Sequence, residues 1–300
     1  SVFIVPIKVN STHKNSVNHT INTVIPRVNS PISFEGFKVE LNFLLQLEKV
    51  LLINDLSCIG KCSLTVSIPI ISTYGIETVP LPTCILSNQT YFKDYLISDC
   101  SKELESFTKL WNKQNIKFNT VYTGFFSNYK QIDYICDCLK DKKVKLFVDP
   151  VLGDNGSRFN CFDDNYQTSL KKLVDMADYI SPNLTEACLL TDSNINEDPV
   201  EIIKKFKNKK VVITSIHKDD KIGYLVKDDN EIFHILNNKV KDELHGTGDV
   251  FASFLCAKMI QTNNFSESVI HAAKKTNECI MATLKEKGHS IYGLNFEQII

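Results

Sequence analysis

The sequence lacks long apolar runs, an excess of one charge and paired cysteines. No stretch approaches the roughly 18 consecutive apolar residues that mark a transmembrane helix. With 34 basic and 35 acidic residues the formal net charge is −1, which gives no overall field for nucleic acid or anionic lipid. The ten cysteines form no C-x-x-C pair and no Cys/His cluster at zinc spacing. We therefore expect small-molecule partners, no nucleic acid, no membrane, and a cytoplasmic protein with reduced thiols.

Common nucleotide-binding signatures are missing as well. The sequence has no GxxxxGK[ST] P-loop and no GxGxxG after a strand. The set of motifs that marks protein kinases is also absent. Any phosphate-binding element must therefore be of another kind.

Residues 1–48 differ in composition from the rest of the chain. They are rich in Asn, Ser, Thr and Val and show no steady period of 2 or 3.6 residues. We expect an N-terminal extension that is disordered or not part of the main domain. The remaining residues, 49–300, are long enough for one large α/β domain.

From residue 49 onward, apolar strands alternate with amphipathic helices. Strands are predicted at 50–54, 118–124, 144–150, 179–183 and 210–216, with an extended segment at 79–92. Helices are predicted at 64–75, 100–115, 129–141, 168–178, 184–191, 201–208 and 266–285. A turn at Asp229 and Asn230 joins two further strands, 222–228 and 231–236, in a hairpin. The alternation predicts a mostly parallel central sheet between two layers of helices.

Polar residues recur just after the predicted strands. They are Asn54, Asp55, Ser87, Asn88, Thr90, Asp149, Asp154, Asn183, Glu186, Thr214 and Ser215. Taken alone, each one is better explained as a turn or cap residue. Together they fall at the carboxyl ends of the strands, where ligands bind in open α/β sheets. The recurrence predicts a binding site at that edge.

The stretch LHGTGDVFASFLCAKM, residues 244–259, predicts an anion-binding helix start. Gly246, Thr247 and Gly248 precede an apolar pattern of helical period. Free backbone N–H groups at such a start attract an anion, and glycines allow it to approach closely. Asp249 follows at once. It is either an ordinary acidic residue of a first helical turn or a base placed beside a phosphate.

Carboxylates in two other segments predict a cation site. Asp149 and Asp154 lie in DPVLGDNG, residues 149–156, and hard oxygens near phosphates suit Mg²⁺, which accepts only one or two protein carboxylates and keeps its waters. Asn183 and Glu186 stand three apart at a helix start. This spacing is that of a capping box, and it equally lets both side chains reach a metal-bound water or a phosphate oxygen.

Six motifs, in order, resemble those of pyridoxal kinases of the ribokinase-like superfamily. They are SNQT (87–90), YTGF (122–125), DPVLGDNG (149–156), SPNLTEACLLT (181–191), VVITS (211–215) and HGTGDVFA (245–252). The opening INDLSCIGKCSLTV resembles the bacterial pyridoxamine/pyridoxal kinase branch. The resemblance covers the chain from about Lys49 onward and implies a three-layer α/β/α sandwich.

The resemblance also implies roles for individual residues. Asp249 is the expected catalytic base that takes the proton of the substrate's 5′-hydroxyl, and Gly246, Thr247 and Gly248 form the expected anion hole. The expected residues for ATP are Asn183, Glu186 and Thr214; for the cation and phosphates Asp149, Asp154 and Glu186; for the substrate ring Asp55, Thr90 and Phe125. Phe125 stands where many members have tyrosine, Asp55 where several have serine, and Phe159 where some have an aromatic hydroxyl.

The implied activity is ATP-dependent phosphorylation of the 5′-hydroxymethyl group of pyridoxal, pyridoxamine or pyridoxine, in the salvage of vitamin B6. ATP, Mg²⁺ and a monovalent cation, K⁺ or Na⁺, are the implied cofactors, and a homodimer is the implied assembly. Two alternatives stay open. One is a hydroxymethylpyrimidine kinase of thiamine synthesis, and the other is a vitamer-binding protein without turnover.

Overall fold

The computed structural model describes residues 48–90, 92–141, 143–240, 244–286 and 292–300. Apart from Glu48, the expected N-terminal extension at 1–48 lies outside the described residues. None of the helices in the described part combines the length and the apolar character that a membrane crossing needs.

Nine strands of the described residues form one sheet, in the order β11-β10-β9-β8-β5-β4-β1-β2-β3. A separate hairpin is formed by β6 and β7. In chain order the strands are β1 (Lys49–Ser57), β2 (Glu77–Leu86), β3 (Ile97–Asp99), β4 (Thr120–Thr123), β5 (Lys145–Val148), β6 (Gly153–Asp154), β7 (Ser157–Arg158), β8 (Tyr179–Ile180), β9 (Lys210–Lys218), β10 (Lys221–Asp228) and β11 (Glu231–Asn238). The six neighbouring strands β9, β8, β5, β4, β1 and β2 all pair in parallel. The strands β3, β10 and β11 add antiparallel edges.

Helices cover both faces of the sheet. They are α1 (Leu64–Thr73), α2 (Ser101–Lys113), α3 (Tyr129–Leu139), α4 (Asp164–Met176), α5 (Leu184–Thr191), α6 (Pro199–Lys204), α7 (Thr247–Thr262) and α8 (Phe265–Leu284), with a 3₁₀ turn at Phe296–Gln298. Alternate residues of β1 enter two separate cores: Leu51 and Ile53 pack with α3 to α6, and Val50 and Leu52 with α1, α7 and α8. Burial on both faces explains why the parallel strands are almost continuously apolar. The predicted three-layer α/β/α sandwich is confirmed.

Most predicted elements are present, with shifted ends. The helix predicted at 184–191 coincides with α5, and the hairpin around Asp229 is formed by β10 and β11. The helix predicted to begin at 168 starts at Asp164, because the side chain of Asp163 accepts a hydrogen bond from the N–H of Tyr166 at 2.8 Å and caps α4 there. The sequence did not predict β3 or the β6–β7 hairpin.

One prediction about the first strand was wrong. Asn54 and Asp55 were expected after the strand, but β1 continues through them to Ser57. The side-chain oxygen of Asn54 accepts hydrogen bonds from the backbone of Asp55 at 2.9 Å and of Phe125 at 2.8 Å. Asn54 is thus tied to the segment after β4, and β1 keeps pairing with β2, with a shift of register between Asn54 and Leu56. A polar side chain in a strand is tolerated here because its hydrogen-bonding capacity is used.

Candidate active site

A cavity of about 490 Å³ lies at the carboxyl ends of the parallel strands. It brings together residues that are far apart in sequence, as predicted for this edge of the sheet. Its lining includes Asp149, Asp154, Asn183, Glu186, Thr214, Gly246, Thr247, Gly248 and Asp249. The polar residues after β5, after β8 and on β9 therefore face the start of α7.

The start of α7 is shaped for a close approach by a ligand. Gly246 is the N-cap with φ 76°, and no side chain caps the helix. A Cβ on Gly246 would lie 2.6 Å from the carbonyl oxygen of Lys61, whereas a Cβ on Gly248 would meet no atom within 4 Å. Glycine at 246 is therefore required by the fold, while at 248 it leaves open space. The uncapped N–H groups and the helix dipole can hold an anion in that space.

Asp249 has the environment of a proton acceptor. It is an acidic residue of the first turn of α7, as the first alternative has it, and it also lines the cavity, as the second alternative requires. Burial of the carboxylate within the cavity raises its pKa to about 8, and the charges of Asp149 and Asp55 act in the same direction. The backbone N–H of Ser63 acts in the opposite direction. A carboxylate with this pKa can accept a proton from an alcohol near neutral pH.

Asp149 is held at the end of β5. Its Oδ1 accepts a hydrogen bond from the hydroxyl of Ser181 at 2.9 Å. Burial raises the pKa of Asp149 to about 6, against the effect of this hydrogen bond. Two half-buried carboxylates, Asp149 and Asp249, therefore share one cavity and repel each other.

Asn183 and Glu186 form the capping box that the sequence left open as one alternative. The N–H of Glu186 donates to Asn183 Oδ1 at 2.8 Å, and the N–H of Asn183 donates to Glu186 Oε2 at 2.8 Å. Glu186 Oε1 also accepts from the N–H of Leu152 at 3.1 Å. Burial and the charge of Asp149 raise the pKa of Glu186 well above its usual value. Both residues line the cavity while they cap α5, so the cap does not remove them from the site.

The expected cation residues lie along one wall without forming a closed set of ligands. Asp154 is exposed in β6, and its Oδ1 accepts a hydrogen bond from the N–H of Asn155 at 2.8 Å. Within the described ranges, no three side chains of His, Cys, Asp or Glu come together as metal ligands. A cation here would need waters or phosphate oxygens to complete its coordination, which is usual for Mg²⁺.

The three residues expected at the substrate ring do not line this cavity. Asp55 is buried, and its carboxylate accepts hydrogen bonds from the hydroxyls of Ser57 and Ser63. Thr90 is exposed in the loop after β2. Phe125 is half-buried, with its ring centroid 5.8 Å from that of Phe162. The negative charge of Asp55 nevertheless contributes to the raised pKa of Asp249.

Several residues of the site were not predicted from the sequence. The lining also includes Tyr224 of β10, Lys239 directly after β11, and three residues of α8, Thr276, Asn277 and Ile280. Tyr224 stacks on Phe251 of α7 with ring centroids 4.4 Å apart. In the sequence these residues belong to ordinary strand and helix patterns, so nothing local distinguished them from structural positions.

The comparisons with known proteins identify the family. Residues 97–293 match the model of a family described as phosphomethylpyrimidine kinase. This match spans β3 to the residues before the 3₁₀ turn, and so includes the start of α7. The chain belongs to the phosphomethylpyrimidine kinase family. It is therefore a kinase, and its fold is the ribokinase-like one that the resemblance implied.

Individual members of the family are similar at modest identity. The pyridoxal kinase of Dictyostelium discoideum is 28% identical over an alignment of 237 residues, and the match covers 69% of this chain and 76% of that protein. The crystal structure of pyridoxal kinase from Lactobacillus plantarum has a TM-score of 0.80 at 25% identity, covering 84% of this chain and 96% of that one. A candidate phosphomethylpyrimidine kinase from Bacteroides thetaiotaomicron, in a crystal form with pyridoxal, has a TM-score of 0.78 at 29% identity, covering 85% and 94%.

Proposed function

We propose that this kinase transfers the γ-phosphoryl group of ATP to the 5′-hydroxymethyl group of pyridoxal, pyridoxamine or pyridoxine. The observation that carries the proposal is the junction at the start of α7. There a half-buried carboxylate with a pKa of about 8 directly follows an uncapped, glycine-bearing helix start in one cavity. Phosphoryl transfer asks a protein mainly for alignment and charge stabilisation, and these groups can supply both.

In the proposed reaction the residues of the α7 start have separate tasks. The N–H groups of Gly246, Thr247 and Gly248 stabilise the transferring phosphoryl group. Asp249 accepts the proton of the 5′-hydroxyl while the hydroxyl oxygen forms a bond to the γ-phosphorus of ATP. The bond between that phosphorus and the oxygen of ADP breaks in the same step. Asn183, Glu186 and Thr214 line the side of the cavity where we propose the phosphates of ATP. Asp55, Thr90 and Phe125 remain our proposal for the substrate side.

The donor set fits a bound Mg²⁺. Burial raises the pKa values of Asp149, Glu186 and Asp249, and none of the three carboxylates is paired with a Lys or Arg of the described residues. A divalent cation would offset this concentration of negative charge. When bound, it would neutralise phosphate charge, and we propose Asp149, Asp154 and Glu186 as the residues that hold it, partly through water. A monovalent cation, K⁺ or Na⁺, is a further proposal from the resemblance.

The choice of alcohol rests on the relatives. The relatives reported above include pyridoxal kinases, and one structure contains pyridoxal. The family is named for phosphomethylpyrimidine, which keeps phosphorylation of a hydroxymethylpyrimidine as the second candidate. Both alcohols carry a hydroxymethyl group on a flat nitrogen heterocycle, so the same base and anion site serve either.

A substrate panel tests the proposal. Purified protein is assayed for ADP release from MgATP with pyridoxal, pyridoxamine, pyridoxine and hydroxymethylpyrimidine in turn, and the phosphorylated product is identified by mass. We expect the highest kcat/KM with a B6 vitamer. A higher value with hydroxymethylpyrimidine selects the second candidate, and binding of a vitamer without ADP release in any reaction selects a non-catalytic vitamer-binding protein.

We propose that residues 49–300 are the kinase unit, that the protein is a homodimer, and that it works in the cytoplasm. All ten cysteines are unbridged, in keeping with a reducing compartment. Sedimentation equilibrium measures the mass in solution, and activity of a chain that begins at residue 48 tests the unit.

A further inference from the structure

The loop between β1 and α1, residues 58–62, lies against the start of α7. A Cβ on Gly246 would lie 2.6 Å from the carbonyl oxygen of Lys61, a separation that real Cβ atoms do not show. The carbonyl of Lys61 is therefore packed directly on the Cα side of Gly246, which is the N-cap of α7. The position of this carbonyl limits where the helix can begin.

The backbone of Lys61 is held on its other side by a distant segment. A Cβ on Gly293 would lie 2.7 Å from the same carbonyl oxygen, and the N–H of Lys61 donates a hydrogen bond to the carbonyl of Tyr292 at 2.5 Å. Gly246 and Gly293 both have positive φ, 76° and 110°, a conformation that glycine adopts without strain. Lys61 is thus enclosed between the start of α7 and the segment 292–297.

The side chain of Lys61 binds the same segment. Its Nζ donates hydrogen bonds to Asn295 Oδ1 at 2.9 Å and to Glu297 Oε2 at 2.8 Å. The same Nζ lies 5.8 Å from the centroid of the Phe296 ring. A single exposed ion pair stabilises little, but this side chain is 30% exposed and makes three contacts with three consecutive residues. It therefore fixes the loop 58–62 on the segment.

The segment 292–297 is itself anchored in the protein. Leu294 and Phe296 are buried in the core that α1, α7 and α8 share. The N–H of Asn295 donates to the hydroxyl of Thr283 in α8 at 2.8 Å. The contacts of Lys61 with this segment therefore connect the N-cap of α7 to a fixed part of the helical layer.

We propose that Lys61 is a positioning residue for the phosphate-binding start of α7. Its side chain holds the loop on the segment 292–297, and its carbonyl then keeps Gly246 in the turn that opens the anion site. The inference rests on the proposed function, because it takes this helix start as the anion hole. Lys61 does not line the cavity, so it acts through Gly246 and not by contact with the nucleotide.

Substitutions at both ends of the ion pair test this role. Lys61→Met keeps the apolar stem of the side chain and removes its charge and hydrogen bonds. Lys61→Glu places a second carboxylate beside that of Glu297, and adding Glu297→Lys restores an ion pair with the partners exchanged.

Lys275→Met is the matched control. The Nζ of Lys275 donates to the carbonyl of Ile299 at 3.2 Å, and its side chain is 28% exposed. It therefore ties the residues just after the segment 292–297 to α8, whereas Lys61 ties the segment to the loop that packs on Gly246.

Steady-state kinetics with MgATP and the best alcohol of the panel give the readout. We expect Lys61→Met to lower kcat by roughly tenfold, as misplacement of a group that acts on the transition state does, with both KM values within about twofold. Lys61→Glu should lower kcat further, and the double variant should recover most of that loss. Lys275→Met should change kcat by less than about twofold. The unfolding temperature of each variant shows that it is folded.

Failure of this inference differs from failure of the proposed function. If the wild-type protein phosphorylates no alcohol of the panel, the proposed function fails and the role of Lys61 falls with it. If the wild type is active and folded Lys61→Met keeps its kcat, the positioning role alone is refuted. An equal loss in Lys275→Met, or a double variant no more active than Lys61→Glu, also overturns it, because the loss would then not come from the contact between Lys61 and the segment.

Discussion

At the scale of single residues, the protein concentrates negative charge where it gains no stability from it. Burial raises the pKa of Asp249 to about 8 and of Asp149 to about 6. An acid whose pKa is higher in the folded state than in the unfolded state binds more protons when folded, so stability falls as pH rises between the two values. Such groups are common at functional sites, where charge is arranged for chemistry.

Replacing the base should therefore stabilise the protein and abolish its activity. For Asp249 the pH range over which stability falls runs from its ordinary pKa of 3.8 to about 8. Asp249→Asn should raise the free energy of unfolding by about 1–3 kcal/mol at pH 8 and by little at pH 4, since water at the half-buried side chain weakens the charge repulsion. Urea unfolding at the two pH values measures this. A variant equally stabilised at both pH values would contradict the assignment of the shift.

The same substitution should lower kcat by at least about 10²-fold, the usual effect of losing a general base. ADP should still bind, because the anion site of α7 is unchanged. The control is Asp137→Asn, which removes an exposed carboxylate of α3 that pairs with Lys140. A coupled ADP-release assay and calorimetry measure the two properties. Near-normal turnover in Asp249→Asn would remove the residue from the mechanism.

The pH dependence of the wild type follows from the same carboxyl group. Asp249 must be ionised to accept a proton, so kcat/KM should rise with pH up to about 8, tenfold per pH unit well below that value. Bound Mg²⁺ should shift the rising part of the plot of kcat against pH to lower pH, since a cation stabilises the ionised carboxylates. Profiles of kcat/KM and kcat test both statements. A flat profile between pH 6 and 8 would mean that no group of this kind controls the rate.

At the scale of elements, the two glycines at the start of α7 should respond differently to alanine. Gly246→Ala places a Cβ 2.6 Å from the Lys61 carbonyl at a positive φ, so it should lower stability by several kcal/mol. Gly248→Ala meets no atom and should leave the unfolding temperature unchanged or raise it slightly. Its methyl group enters the open space at the helix start, so kcat should fall by roughly tenfold or more. Thermal unfolding and steady-state kinetics of the two variants test these expectations. A fully active Gly248→Ala would show that the phosphate does not bind at the start of α7.

Elements with strong local signals could be predicted from the sequence, and those defined by distant partners could not. The bounds of α5 follow from its capping box, and the β10–β11 hairpin follows from its turn. Strand β3 has three exposed residues, and the β6–β7 hairpin has two residues in each strand, so neither carries a periodic pattern. The position of Asp55 inside β1 depends on long-range bonds of Asn54 and Ser63, which no local rule contains.

At the scale of the whole molecule, the sheet acts as a frame that brings separate segments to one edge. The residues after β5 and β8, the middle of β9 and the start of α7 meet because the sheet order places β4, β5, β8 and β9 side by side. The sequence predicted this gathering from the rule for parallel strands. It did not predict that the hairpin and α8 complete the cavity, because which helix covers which strand is set by packing of the two cores.

This convergence also predicts that metal and nucleotide bind together. Asp149 and Glu186 come from different segments, and each has a raised pKa with no cationic partner among the described residues. A ligand that neutralises them binds only the folded state and stabilises it, by about 2.7 kcal/mol at one hundred times its Kd. We expect Mg²⁺ with ADP to raise the unfolding temperature more than ADP alone, and Asp149→Asn to lose most of this difference. Scanning calorimetry at pH 8 measures it; an equal effect of Mg²⁺ in wild type and Asp149→Asn would show that this carboxylate does not take part in holding the cation.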